Sequence, residues 1–315
     1  MPTEASRTRD ECPGKQGFRT GTKFAGPDAS SRSTEAAVHI VVCIKQVPDS
    51  AQIRVHPVTN TIMRQGVPTI INPYDLFALE EAMRLRDEFG GRVTVLCMGP
   101  PMAEDALRRA LGLGADQAVL ITDRRFAGSD TLATSFALAT ALETLGKEHP
   151  IDIVFTGKQT IDGDTAQVGP GIACRLELNQ LTYVAAIDSL DKAKGEIVAR
   201  RRAEGGVQVL KSKLPCLITM LEGANTLRRG SVQDMLRAAR AKVTVWSAED
   251  AGVGDLLKCG LRGSPTVVKK VFAPQPREEP AEMVAVEGKT PAQIGDAILD
   301  LVFARQPKLE AELTA

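Results

Sequence analysis

The chain has 315 residues, 43% of them apolar and 25% charged, and its 39 basic and 39 acidic side chains cancel. A zero net charge supplies no field to draw it onto nucleic acid or an anionic membrane, and an aromatic content of only 4% leaves little for base stacking. The length allows one large α/β domain with extensions, or two domains of roughly 100–200 residues each.

The cysteines are Cys12, Cys43, Cys97, Cys174, Cys216 and Cys259. None forms a CxxC pair, and no Cys/His cluster has zinc spacing. Cys43 and Cys97 lie in apolar runs, where a thiol packs as a small hydrophobe. This usage fits a reducing cytoplasm better than an oxidising compartment. No apolar run approaches the ~18–20 residues of a membrane span, so no membrane insertion is expected.

Residues 1–36 are rich in Ser, Thr, Arg, Gly and Pro without any period, and read as a disordered tail. A targeting peptide is the alternative, opposed by Glu4, Asp10 and Glu11 and by the lack of an apolar helical face. The run Val38-His-Ile-Val-Val-Cys-Ile44 then predicts a strand buried on both faces. Lys45-Gln-Val-Pro-Asp49 turns the chain. Asn72 is the expected N-cap of a helix with Pro73 in its first turn. Leu76, Leu79, Met83 and Leu85 supply its buried stripe, and Gly90-Gly91 stops it.

A strand over 92–98, a helix over 103–112 and a strand over 117–122 follow. Asp130-Thr131 caps a helix running to about Leu145. A strand over 151–156 enters the Gly/Asp-rich loop 157–169 and another helix. Strands alternating with helices predict a parallel sheet covered on both faces. From Leu181 to about Val209, short strands joined by turns read as an antiparallel meander. Residues 216–220 and 242–246 return to buried strand character. Residues 260–290 lack a period, and 291–304 form a last amphipathic helix expected to lie along a partner.

Ligands bind outside the carboxyl ends of parallel strands. Four segments sit there: 43–49, 98–101, 123–134 and 157–169. In the last, Gly157 and Gly163 let the backbone approach a ligand, and successive amides at a helix N-terminus favour phosphate. Lys158 is expected to offset phosphate charge, while Thr165 and Gln167 supply donors. Asp162 and Asp164 would repel phosphate if aimed at it. They are expected to bond loop amides or to contact a ribose hydroxyl. Alone, the loop is neither a P-loop nor GxGxxG, and it reads equally as a helix-capping turn.

Other candidates have structural readings. His39 reads as a core or edge histidine, and His56 and His149 as loop residues. No Ser/His/Asp constellation or GxSxG elbow is present. Arg200-Arg201-Arg202 reads as a solvated strand edge. Arg237, Arg240 and Lys242 read either as a partner-facing patch or as a solvated helix end.

Four motifs in order carry a family resemblance: Lys45-Gln-Val-Pro-Asp49, Gly66-Val-Pro-Thr-Ile-Ile-Asn-Pro-Tyr-Asp75, Ala110-Leu-Gly-Leu-Gly-Ala-Asp116, and Gly157-Lys-Gln-Thr-Ile-Asp-Gly-Asp-Thr-Ala-Gln-Val-Gly-Pro170. From about residue 38 to 275 the chain resembles the beta subunit of electron-transfer flavoproteins. The resemblance implies a three-layer, parallel-sheet, nucleotide-binding (Rossmann-like) α/β fold with a meander insertion and a C-terminal arm. It implies a tail over 1–36, a nucleotide- or FAD-binding domain over 37–258, and an arm over 259–315 that packs on an alpha subunit carrying a flavin.

The family's common form holds AMP in the beta subunit, and its electron-bifurcating form holds FAD. Asp162-Gly-Asp-Thr-Ala-Gln-Val-Gly169 resembles the second form, as do Thr59-Asn-Thr-Ile-Met-Arg64 and the stretch 123–134. FAD is therefore expected, with NADH as donor and AMP as the alternative. Carried over by motif, Cys43, Asn72, Pro73, Tyr74, Asp75 and Met98 would serve the adenine and ribose. Gly157, Lys158, Gln159, Thr160, Ile161, Asp162, Gly163, Asp164, Thr165, Ala166, Gln167 and Val168 would serve the phosphates. Asp123, Phe126, Asp130 and Thr131 would lie nearer the flavin.

The segment that recognises acyl-CoA dehydrogenase partners in this family reads Asn225-Thr-Leu-Arg-Arg229 here. Asn225 and Arg228 remain, but the family's Pro and Tyr are absent, which puts the partner's identity, dehydrogenase or quinone-linked flavoprotein, in question. A stand-alone nucleotide-binding regulator and a self-sufficient NAD-dependent dehydrogenase are the readings from other classes, and no catalytic His or Lys constellation supports the latter.

Overall fold

The computed structural model describes residues 37–49, 54–55, 62–63, 68–266 and 283–314. The expected tail over 1–36, His56 and most of the stretch 59–67 lie outside the described residues. The chain divides into two compact units, Met1–Val271 and Phe272–Ala315. Residues 259–266, expected in the arm, belong to the first unit because Cys259 is buried in its core.

In the first unit the order is β1 (Val38–Ile44), β2 (Gln46–Pro48), β3 (Arg54–Val55), β4 (Ile62–Met63), β5 (Thr69–Ile71), α1 (Pro73–Phe89), β6 (Gly91–Met98), α2 (Glu104–Leu113), β7 (Gln117–Ile121), α3 (Thr131–Glu148), β8 (Ile153–Gly157), α4 (Val168–Arg175), β9 (Asn179–Asp191), β10 (Glu196–Ala203), β11 (Gly206–Lys213), β12 (Cys216–Met220), α5 (Val232–Arg240) and β13 (Thr244–Trp246). A nine-stranded sheet runs β11-β10-β9-β12-β8-β1-β6-β7-β13. From β9 to β13 each neighbouring pair is parallel, and β10 and β11 are added antiparallel.

Side chains alternate across the sheet, as strand geometry requires. Ile40, Val42 and Ile44 face α1 and α2 together with Val93, Val95, Ile153 and Phe155. Val41 and Cys43 face α3 and α4 together with Leu96, Val154 and Leu217. The continuous apolar runs of β1, β8 and β12 are thus buried on both faces.

Four expectations change. The meander's first strand is long, and β9 pairs parallel with β12 before β10 turns back. The arginine triplet lies on β10, which is internal, between β9 and β11; Arg200 pairs with Asp188 at 2.8 Å. β13 is an edge strand with Val245 exposed rather than a buried one. Finally, α1 buries three carboxylates, Asp75, Glu80 and Glu81, beside its apolar stripe.

The second unit holds α6 (Pro291–Arg305) and α7 (Pro307–Thr314). Thr290 and Gln293 form a reciprocal capping box at the start of α6. Ile298, Leu299 and Val302 of α6 are exposed. Among the described residues, no helix is long and apolar enough to cross a membrane.

Candidate functional site

The chain lays β6 and β7 on one side of β1, then returns to place β8 on the other. The connections leaving β1 and β8 part at their carboxyl ends, which opens the crevice where such sheets hold ligands. Asp75, in the first turn of α1, joins the two strand ends. Its Oδ2 accepts the Lys45 amide at 2.7 Å and its Oδ1 the Gly157 amide at 3.1 Å. Burial pushes this carboxyl up to about 7, against the pull of Asn72 and the two amides.

Asn72 stands at the N-cap position of α1, but its side chain does not cap the helix. Nδ2 donates to the Gln159 carbonyl at 2.8 Å and Oδ1 accepts the Ile161 amide at 3.1 Å. The expected cap is instead a two-point clamp on the loop after β8. Pro73 opens the helix, where its missing N–H costs nothing. A Cβ on Gly157 would lie 2.4 Å from Asp75 Oδ1 and 2.7 Å from Tyr74 Cβ, so this close approach requires glycine.

Within the loop, the amides of Gly163 and Asp164 fold back on the Thr160 carbonyl. Asp164 and Ala166 adopt φ of 53° and 54°, and Gln167 returns to the right-handed region. Left-handed and right-handed residues in succession make a concave run of amides suited to an anion, here immediately before the N-terminus of α4. The two acids are drawn aside by side chains. Lys45 Nζ holds Asp162 at 2.8 Å, and Gln159 Nε2 holds Asp164 Oδ1 at 2.7 Å. Burial pushes the Asp162 carboxyl up, but Lys45 outweighs it and the net shift is downward. Thr165 is exposed beside them.

Lys158, expected to offset phosphate charge, has its ammonium 5.7 Å from the Tyr74 ring and 5.6 Å from the Tyr183 ring, which is cation–π range. These are the chain's two tyrosines. Tyr183 has φ of 58°, where β9 slips register against β12. Its sequence context does not single it out, because a tyrosine in a strand pattern reads as packing. Lys45 is likewise visible only as part of a turn motif until its partner Asp162 is placed.

The facing wall is the segment 123–131. Asp123 accepts the Arg125 amide at 2.9 Å and the Arg125 guanidinium, whose hydrogen bonds hold its carboxyl well below the usual range. Arg125 also grips Glu249. Phe126, expected near a flavin, is buried in the core on the α3/α4 face. Asp130 caps α3, with Oδ1 accepting the amides of Leu132 and Ala133. Thr131 Oγ1 donates to Gln167 Oε1 at 2.8 Å and bridges the wall to the 157–168 loop. Cys43 is the penultimate residue of β1 and Met98 the last of β6; burial raises the Cys43 thiol far above its ordinary value and makes it unreactive.

Asn225 and Arg228, expected to face a partner, are both bonded to α1. Asn225 Nδ2 donates to the Phe77 carbonyl and to Glu81, while Arg228 pairs with Glu80 and Asp87. They satisfy the buried carboxylates and shape the loop, leaving Leu227, Val232, Met235 and Leu236 exposed around them.

The residues present suit a nucleotide, with a glycine-tight floor, a concave amide run, and acids held off the amides. Among the described residues, no group of His, Cys, Asp and Glu could hold a metal ion. Residues 59–251 match the electron transfer flavoprotein domain. Protein FixA of Azorhizobium caulinodans is 69% identical over 279 residues, covering 88% of this chain and 98% of the relative. Protein FixA of Bradyrhizobium diazoefficiens is 68% identical over 277 residues, covering 88% and 95%. The electron transfer flavoprotein subunit beta of Clostridium acetobutylicum is 49% identical over 234 residues, covering 74% and 87%. The chain therefore belongs to the electron transfer flavoprotein family, as a protein of its beta-subunit type.

Proposed function

We propose that this chain is the FAD-binding beta subunit of a two-subunit electron carrier, taking reducing equivalents from NADH by electron bifurcation. The observation that carries this reading is the 157–168 loop. Its left-handed Asp164 and Ala166 shape an amide cradle, and Lys45 and Gln159 pull the two loop acids aside. Gly157 through Val168 would hold the phosphates. Asn72 and Asp75 fix that loop on the ends of β1 and β8. Thr131 and Gln167 join the two walls. Bound FAD would supply hydride acceptance and single-electron release; the chain supplies position and electrostatics.

The alpha subunit is the immediate partner, and α6, with Ile298, Leu299 and Val302 exposed, would pack on it. An acyl-CoA dehydrogenase-type or quinone-linked flavoprotein is the further partner. It would dock on the apolar patch around Leu227 and Val232, the latter 73% exposed, with Asn225 and Arg228 bracing the patch from beneath. None of the five described cysteines is in a disulfide, in keeping with a reducing cytoplasm.

The test is an absorption spectrum, with flavin and nucleotide counted, of this chain co-purified with its alpha subunit. Two flavins per heterodimer are expected. One flavin with one AMP would make this subunit a nucleotide-stabilised scaffold and sink the bifurcation reading. A homodimer carrying nucleotide without flavin would replace the carrier with a regulator.

A further inference from the structure

Residues 259–266 follow the last strand of the sheet and are laced onto the 123–131 wall. Ser264 is buried. Its Oγ accepts the Asp130 amide at 2.8 Å and donates to the Gly260 carbonyl at 2.6 Å. Asp130 Oδ2 accepts the Thr266 amide at 3.1 Å, while its other oxygen caps α3. Ser129 Oγ accepts the Gly260 amide at 3.0 Å and donates to the Phe126 carbonyl at 2.7 Å.

The packing is equally close. Gly260 has φ of 58°, and a Cβ there would lie 2.4 Å from the Arg125 carbonyl oxygen. A Cβ on Gly128 would lie 2.6 Å from Leu261 Cδ2. The backbone of the wall is therefore held from behind by this segment. Its front edge continues through Thr131 to Gln167 and the amide cradle.

We propose that Ser264 and Thr266 are positioning residues for the nucleotide of this chain, setting the distance between the 123–131 wall and the 157–168 loop. The proposal rests on the reading that a nucleotide lies between these two segments. Asp130 is the pivot. The same carboxylate starts α3, which carries Thr131, and receives the 259–266 segment. Removing Ser264 Oγ leaves the Asp130 amide without its acceptor and frees the wall to move away from Gln167.

The test uses the full heterodimer with Ser264→Ala and, separately, Thr266→Pro, which removes both the backbone and the hydroxyl donor to Asp130. Nucleotide release is followed after dilution, alongside the thermal midpoint and the visible band of any bound flavin. Leu190→Ala, a core truncation in β9, serves as a control destabilised without touching the wall. Both wall variants are expected to release nucleotide about tenfold faster than wild type, a change of ~1.4 kcal/mol, with a shifted flavin band. The control should melt earlier but release at the wild-type rate. Release tracking the thermal midpoint across all three variants would make Ser264 merely structural and overturn the proposal. A wild-type heterodimer with no nucleotide on this chain would overturn both this inference and the reading beneath it.

Discussion

The two ends of the parallel strands both bury polar side chains, yet they use them differently. At the amino end, His39 is 6% exposed. Its amide donates to Asp152 Oδ2 at 2.9 Å. Ring Nδ1 lies 3.1 Å from the His149 carbonyl oxygen, so the proton belongs there, and Nε2, 3.1 Å from Thr94 Oγ1, accepts. The backbone these groups hold is regular strand. At the carboxyl end, Asn72 and Asp75 also satisfy amides, but the backbone near them is left-handed at Asp164, Ala166 and Tyr183. Such residues cost ~1–3 kcal/mol each. The amino end therefore uses its polar contacts to close the sheet, and the carboxyl end uses them to hold a strained shape.

The strongest way to break this contrast is Gly157→Ala. The new Cβ overlaps Asp75 Oδ1 and Tyr74 and displaces the amide bonded to Asp75. Overpacking and the lost bond together should cost ~4 kcal/mol. Chemical denaturation and nucleotide content after gel filtration would measure it. Nucleotide retained at the wild-type level would show that the floor of the crevice does not need glycine.

A smaller effect is expected at the amino end, from pH. Burial, with help from Arg92, pushes His39 down to about 4. The unfolded chain takes up a proton near pH 6.5 while the folded chain resists until about pH 4. The stabilisation is present above pH 6.5 and is lost as pH falls toward 4, up to ~3 kcal/mol. Denaturation midpoints of wild type and His39→Gln across that window should converge at the acid end. Parallel curves would remove His39 from the acid response.

The smallest effect sharpens the comparison. At Tyr183, glycine should be tolerated better than alanine, by about 1 kcal/mol, because φ is left-handed there. At Thr94, in regular β6, alanine should be the better of the two. Stability of the four variants checks both orders, and the same order at both positions would deny that Tyr183 is strained.

The layers were readable because β1, β6, β8 and the helices between them carry their periods plainly. The short β13 misleads, since Val243, Val245 and Trp246 look like one buried run, yet Val243 alone is buried and Val245 is exposed on the edge strand. The close approach of the loop after β8 to neighbouring backbone was readable from its glycines. Its partners were not, because Asn72, Asp75 and Lys45 lie some 80–120 positions away in the chain. Asn72 illustrates the limit. Its local context specifies a cap, and only the returning chain offers its amide group the better pair of backbone partners. Arg228 and Asn225 kept their motif identity, yet the buried Glu80 and Glu81 that orient them look like ordinary surface helix residues in sequence.

The single tryptophan, Trp246, ends β13, and its carbonyl accepts the Thr122 amide at 2.9 Å, one residue before the wall begins at Asp123. The chain thus carries one indole, on the edge strand tied to the start of the wall, and no other to obscure it. A flavin absorbs where indole emits, and an adenine mononucleotide does not. In this chain, the light that residue gives off therefore falls where a flavin lies near the wall and persists where an adenine mononucleotide does.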